Sequence, residues 1–387
     1  MANSISEQVR DWLAGRFEEM TACLETLVNI DSHSSDKAGV DRVGEVIESW
    51  LVEDGIAVER IRRPEAGDIL LATLPGCDDA EQAPILLMGH RDTVFPTGTV
   101  VERGYSCQGD TAFGPGVADM KAGLVLNVFV LRALRHCTAL PFPVQALFTA
   151  DEEIGSPDGT AFIRQTAEGA RAVFNAEPGR VSGNVVTARK GGASFVIEVT
   201  GKAAHSGVSH ADGASAIEAL ARMTTRIHAL TDYDSGVTTN IGTISGGTAR
   251  NAVAPFARAE LDTRFVTAEQ REHLIAELNA IVGDPGVPGT MARLIPKSEF
   301  LPLESVMSEA LFARYQCQAR IVGFAVEGEF TGGCSDAGTT ASLGIPTLCG
   351  TGPVGALMHT EDEYCQLDTL VPRAQALALT ILDLAER

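Results

Sequence analysis

The stretch PILLMGHRDTVFPTGT, residues 84–99, decides the fold. Its first five residues, Pro84 to Met88, form a short uninterrupted apolar run, the pattern of a strand buried on both faces of a sheet. His90, Arg91 and Asp92 follow at the strand's carboxyl end. In open α/β sheets that end is where sites assemble. Residues two apart on extended backbone point the same way, so His90 and Asp92 share a face. Taken alone, the pair reads better as a loop histidine beside a solvated aspartate than as a site.

Outward from this strand, the chain alternates. Residues 4–29 carry Val9, Leu13, Phe17, Met20 and Leu24 at helical spacing, and 39–53 read as a second helix. Strands are predicted at 56–61 and 69–74, a long apolar helix at 119–137, and buried strands at 144–150 and 171–176. This alternation indicates an α/β layered domain. Near Lys190 the pattern changes. A strand at 193–200 is followed by a helix at 211–231, strands at 237–245 and 253–266, a helix at 267–281 and a strand at 289–295. That order is ferredoxin-like. After about Lys297 the first pattern returns and ends in an apolar helix at 368–386. A small domain, 190–297, is therefore expected inside a larger discontinuous one, 1–189 with 298–387.

Composition limits the partners. The 387 residues suit two domains, and 45% apolar content supplies a sizeable core. The formal charge of −21 argues against nucleic acid and against anionic membrane surfaces. No run of about 18 apolar residues is present, so no transmembrane helix is expected. MANSISEQVRDWLAG lacks the basic start and apolar run of a secretory signal. The eight cysteines are scattered with no CxxC, as expected of reduced thiols in a cytoplasmic protein.

Three further segments carry candidate chemistry. Asp119 lies where the glycine-rich GPGVADMKAG, 114–123, enters the long helix, and could be either a ligand or a helix N-cap. Asp151, Glu152 and Glu153 crowd together after the apolar strand 144–148. Like charges that close raise each other's pKa, and a metal would relieve the crowding. One carboxylate could then ligate while its neighbour acts as base. Glu177 is a fourth acid at a strand end, and His359 follows the glycine-rich run from Gly350. Two histidines and three or four carboxylates suit a binuclear site for Zn²⁺, Co²⁺ or Mn²⁺, with no thiolate implicated.

At these residues the chain resembles the co-catalytic zinc metallopeptidase family of glutamate carboxypeptidase, acetylornithine deacetylase and succinyl-diaminopimelate desuccinylase. The segments GHRDTVFPTGT, GPGVADMKAG, TADEEIGS, FNAEP and GCSDAG carry the likeness in the family's order, and the glutamate carboxypeptidase branch is nearest. The resemblance implies an aminopeptidase-like mixed sheet with helices on both faces, plus an inserted ferredoxin-like α+β dimerisation domain. It implies two divalent metals, zinc first, held by His90, Asp119, Glu153, Glu177 and His359, with Asp119 between them and a cis peptide after it. Asp92 would orient His90, Glu152 would be the general base, and His205 would stabilise the oxyanion. Asn251 and Arg264 would face the substrate.

Three positions depart from the family's pattern. Arg91 stands where an apolar residue is usual, and Cys334 where a glycine is common. Lys297 occupies the stretch where glutamate-specific members carry a substrate-binding arginine, and its ammonium lacks the planar fork of a guanidinium. The function expected is metal-dependent cleavage of an amide in a small carboxylate-bearing substrate by a cytoplasmic homodimer. A deacylase of other, for example aromatic, amides is the alternative. A catalytically silent binding protein on this fold is a third reading, against which the intact acid and histidine set counts.

Overall fold

The computed structural model describes residues 4–77 and 82–385. The chain divides into two units, Met1–Ala188 with Leu303–Thr331 and Thr339–Arg387, and Arg189–Pro302 with Gly332–Gly338.

The first unit is a mixed α/β layer. Its eight-stranded sheet contains β1 (Ala57–Ile61), β2 (Ile69–Leu74) and β3 (Ile85–His90). Two short strands, β4 (Ser106–Gln108) and β5 (Thr111–Phe113), belong to a separate four-stranded sheet. The large sheet continues with β6 (Val144–Thr149), β7 (Ala172–Asn175), β8 (Val185–Arg189), β13 (Gly328–Thr331) and β14 (Thr347–Cys349), in the order β1-β2-β6-β3-β7-β14-β8-β13. Strand β3 runs parallel to both β6 and β7. All six of its residues are buried, as expected of its apolar run Ile85–Met88, and the strand ends in His90.

Helices cover both faces. On one side lie α1 (Ile5–Ala14), α2 (Phe17–Val28), α3 (Lys37–Glu53), α5 (Ala122–Cys137), α9 (Glu309–Val322) and α11 (Leu370–Ala385), sharing one apolar cluster with Leu87, Phe148 and Phe174. On the other, Ile163 and Ala167 of α6 (Gly159–Ala167) pack against Leu86, Met88, Leu147 and Val173. Full burial of such side chains contributes about 1.5–3 kcal/mol each. The predicted 4–29 helix is in fact two, because Gly15 ends α1 and its N–H caps Asp11 and Leu13. Short helices α4 (Thr99–Arg103) and α10 (Ala337–Ala341) complete this list apart from the second unit's pair.

The second unit holds β9 (Gly191–Thr200), α7 (Ala216–His228), β10 (Thr238–Gly246), β11 (Phe256–Phe265), α8 (Ala268–Gly283) and β12 (Met291–Phe300). The sheet order β10-β11-β9-β12, antiparallel throughout, is the ferredoxin-like arrangement. Alternating residues Phe195, Ile197, Val199, Leu261 and Phe265 face α7 and α8 in a core of their own. β12 bulges at Lys297, between Pro296 and Ser298, and runs on to Phe300.

No helix among the described residues is long and apolar enough to cross a membrane. The remaining short strands, β15 (Gly355–Ala356) and β16 (Tyr364–Gln366), pair in the order β15-β16-β5-β4. This small sheet draws the late segment around His359 to the loop before α5, a step local patterning did not foretell.

Candidate metal centre

The strand order reverses around β3, with β6 on one side and β7 on the other, and each of the three ends in acidic or imidazole side chains. His90, the last residue of β3, is buried. Its Nδ1 lies 3.0 Å from the main-chain oxygen of Asp92 and 3.4 Å from its Oδ1. Asp92 is fully buried, and its carboxylate accepts from Ser34 Oγ at 2.7 Å and from the backbone N–H groups of Glu152 and Glu153, both at 3.1 Å. Asp92 therefore binds the turn after β6 as well as standing behind His90.

Asp119 is not a helix N-cap. It lies in a π-turn, Val117–Lys121, with non-helical backbone and a cis bond to Met120, one turn before α5 begins. Gly116 turns the chain into this segment at φ 71°, where a side chain would collide with Thr93. The buried ammonium of Lys121 donates to the carbonyls of Ile30 and Pro115, and burial lowers its pKa to about 7.

Around Asp119 the ligand atoms fall into two sets. Oδ1 lies 3.2 Å from His90 Nε2, which is 3.9 Å from Glu177 Oε1. Oδ2 lies 3.4 Å from His359 Nε2, which is 3.2 Å from Glu153 Oε2. Within each set, His90–Asp119–Glu177 and Asp119–Glu153–His359, the ligand atoms lie within 4.8 Å of one another.

The electrostatics favour cations. Burial would raise the Asp119 carboxyl, but hydrogen bonds from His359 and His90 hold it well below the usual carboxylate range. Burial disfavours charge on His90, yet Asp119, Asp92 and Glu152 together hold its imidazolium form well above the ordinary range. His359 is pushed up to about 10, chiefly by its hydrogen bonds to Asp119 and Glu153. Burial raises Glu153. Its Oε1 is buried without a hydrogen-bond partner among the described residues. A pocket that draws positive charge, with nitrogen and carboxylate donors, no sulfur and a buried acceptor oxygen to spare, fits a borderline-hard divalent ion.

The three adjacent acids separate by role. Asp151 Oδ2 accepts from the N–H groups of Asp158 and Gly159 and so caps the start of α6. Glu152 is buried beside the cluster in the short turn Glu152–Ile154, and Glu153 joins the second ligand set. Local sequence missed two supporting residues, Ser34 and the fully buried Glu363. Glu363 accepts three backbone N–H groups around Asp119, and burial pushes its pKa up to about 7. The only cue to it was an acid just after Glu361 and Asp362.

Arg91, the first departure, points into the first unit. It is 1% exposed and donates to the carbonyls of Val40, Asp68 and Thr149. Burial lowers its pKa to about 10.

The second unit holds the remaining expected residues. His205 is exposed on the loop after β9, and its Nδ1 accepts from the N–H groups of Gly207 and Val208 at 3.1 and 3.2 Å. That assigns the ring proton to Nε2. Asn251 is exposed, and its main-chain carbonyl accepts from the N–H of Ser206. Arg264 Nε and Nη2 bind both oxygens of Asp262 at 3.0 and 2.9 Å, and Nη1 lies 2.8 Å from Cys334 Sγ. Lys297 lines a groove of about 420 Å³ with Asn240, Arg258 and Asp262.

Residues 187–290 match the peptidase dimerisation domain. The chain is 30% identical to a succinyl-diaminopimelate desuccinylase of Ralstonia nicotianae over 312 residues, 74% of this chain and 79% of that protein. It is 26% identical to carboxypeptidase G2 of a Pseudomonas species over 371 residues, 93% and 88% of the two chains. An M20 family metallo-carboxypeptidase from Sulfolobus solfataricus has the same fold, with a TM-score of 0.75 at 16% identity over 94% of this chain and 98% of that one. The chain belongs to the M20 family of metallopeptidases and related deacylases.

Proposed function

We propose that this protein is a binuclear, zinc-dependent amide hydrolase. It cleaves an N-acyl amino acid, or removes a glutamate-like C-terminal residue, from a small substrate with a free carboxylate. The observation that carries this reading is the division of one carboxylate, Asp119, between two ligand sets. His90 and Glu177 would complete one metal site, and Glu153 and His359 the other. When bound, such a pair polarises the carbonyl and lowers the pKa of water toward ~7.

The chain's own groups do the rest. Glu152 takes a proton from the attacking water and delivers it to the leaving nitrogen. Asp92 keeps His90 and the Glu152–Glu153 backbone in register through the bonds described above. His205, with its proton on Nε2, donates to the developing oxyanion, a role typically worth ~3–4 kcal/mol. Arg264 and Asn251 receive the leaving group's carboxylate, with Lys297 a further cation on β12 of the sheet that carries Arg264. These cations oppose the repulsion that a net charge of −21 exerts on an anionic substrate.

The protein acts as a homodimer in this reading. The second unit's sheet has two edge strands, β10 and β12, and exposed Ile244 on β10 and Ile217 on α7 offer apolar surface to a second copy. The match to the peptidase dimerisation domain supports the same assembly.

Elemental analysis of the purified protein, followed by a hydrolysis screen of N-acyl amino acids and dipeptides with each metal, tests the reading. Each acid is paired with its carboxamide. Activity in a verified metal-free sample, or equal kcat/KM for acid and amide, would overturn it.

A further inference from the structure

Glu363 is completely buried in the first unit, yet its carboxylate is met by amides rather than by an ion pair. Oε1 accepts from the N–H groups of Ala118 at 2.8 Å and Asp119 at 3.0 Å, and Oε2 accepts from Gly116 at 3.3 Å. A buried carboxylate is costly unless such charge-assisted bonds satisfy it. Here the three amides belong to the turn that presents Asp119, the residue common to both ligand sets. One side chain thus holds the main chain at and just before that residue.

The other end of Glu363 is equally constrained. It lies four residues after His359, which sits at φ 64°. Between them the chain folds into tight turns. Thr360 Oγ1 donates to Leu357 O at 2.6 Å and accepts from Asp362 N, and Glu363 N donates to Thr360 O at 3.4 Å. The carboxylate therefore joins two segments 244 residues apart, one bearing Asp119 and the other bearing His359.

We propose that Glu363 is a positioning residue that clamps the Asp119 turn to the His359 turn and so sets the spacing of the Asp119–Glu153–His359 ligand set. The proposal rests on the metal-binding reading above. His90 and Glu177 hang from β3 and from the end of β7, not from the clamped late segment, so the first ligand set depends on Glu363 only through Asp119.

The test is calorimetric titration of metal-free protein with Zn²⁺, and separately with Co²⁺ while recording the visible spectrum. Wild type is compared with Glu363→Gln and with Glu363→Asp, which keeps the charge but draws it back from the three amides. Circular dichroism and Tm establish folding in each case. The expected result is two sites in wild type. In both variants one site stays near wild-type affinity and the other weakens about tenfold or more, the usual scale for residues behind ligands. Fewer than two sites in wild type would refute the metal reading, whatever Glu363 does. Two wild-type sites, with both affinities unchanged in a folded variant, would overturn the clamp alone. So would equal weakening of both sites, the signature of general loosening. If Glu363→Gln does not fold, the Glu363→Asp result decides.

Discussion

Gly44 and Arg91 occupy complementary space. A Cβ at Gly44 of α3 would fall inside van der Waals contact with Arg91 Nη1. The unusual arginine beside His90 is thus accommodated by a missing side chain 47 residues earlier, with Val40, Asp68 and Thr149 supplying the carbonyl acceptors. Gly44→Ala should destabilise the protein by about 1–3 kcal/mol through overpacking. In an Arg91→Leu background, which removes the obstructing guanidinium, the same change should cost much less. Urea unfolding of the four proteins gives the coupling, and strictly additive losses would refute the steric link.

Asp119 belongs to both candidate ligand sets, whereas Glu177 and His359 belong to one each. Asp119→Asn should abolish tight binding of both metals. Glu177→Gln and His359→Ala should each leave about one metal bound, since each removes a ligand from one tetrahedral-type site only. Elemental analysis after dialysis measures this, and an Asp119→Asn protein that keeps two metals would sink the shared-ligand assignment.

Glu152 and Glu153 are neighbours with different expected failures. Glu152→Gln should keep both metals and lose about 10²–10⁴-fold in kcat, the scale of lost general acid–base catalysis. Glu153→Gln should lower metal content first, and excess metal should restore part of its activity. Near wild-type turnover in Glu152→Gln would remove it as the base.

In the homodimer proposed above, we predict that His205, exposed on the loop after β9 in the part of the chain matched by the dimerisation domain, acts on the partner's centre. His205→Ala and Glu152→Ala homodimers should each be nearly inactive. Subunit exchange creates one site with Glu152 from one chain and His205 from the other, and activity should reappear on mixing. Demonstrated exchange without recovered activity would exclude action across the dimer.

Acid stability should depend on Asp68. This buried carboxylate accepts from Lys37 Nζ at 2.7 Å and from Arg63 N at 3.0 Å. Burial alone would raise its pKa, but the Lys37 and Arg63 hydrogen bonds bring it below the ordinary value of 3.8. A carboxyl depressed in the folded state stabilises fully above its unfolded pKa, near ~3.9, and the contribution is lost as pH falls through the folded value. Asp68→Asn should therefore lower stability at neutral pH and flatten its decline below about pH 4. Urea titrations of metal-free protein from pH 7 to 3 would show this, and parallel curves for the two proteins would contradict it.

Much of the architecture was legible locally. The apolar run Pro84–Met88, the acids after β6 and the strand–helix order from β9 to β12 lie in consecutive residues, and periodicity of two or 3.6 is a property of consecutive residues. The same reading placed His90, Asp119, Glu153 and His359 at element ends or loops. It could not separate Asp151, which caps α6, from Glu153, which faces His359, because both lie one turn from the same strand. The division of residues 4–29 into two helices is likewise not legible locally, since the apolar spacing runs through Gly15 without interruption and only the turn there ends α1.

The sequence by itself determined which segments bury, where the ferredoxin-like insertion begins, and which residue types could hold a cation. The tertiary structure alone decided that one carboxylate lies between two sets of candidate ligand atoms, that Arg91 turns inward over Gly44, and that Glu363 holds the backbone of Asp119. Each of those facts depends on contacts between segments 29 to 247 residues apart. No local pattern encodes such contacts, because they exist only once β3, β6 and β7 have aligned and the small β16–β5 pairing has carried the late chain back to the early loop.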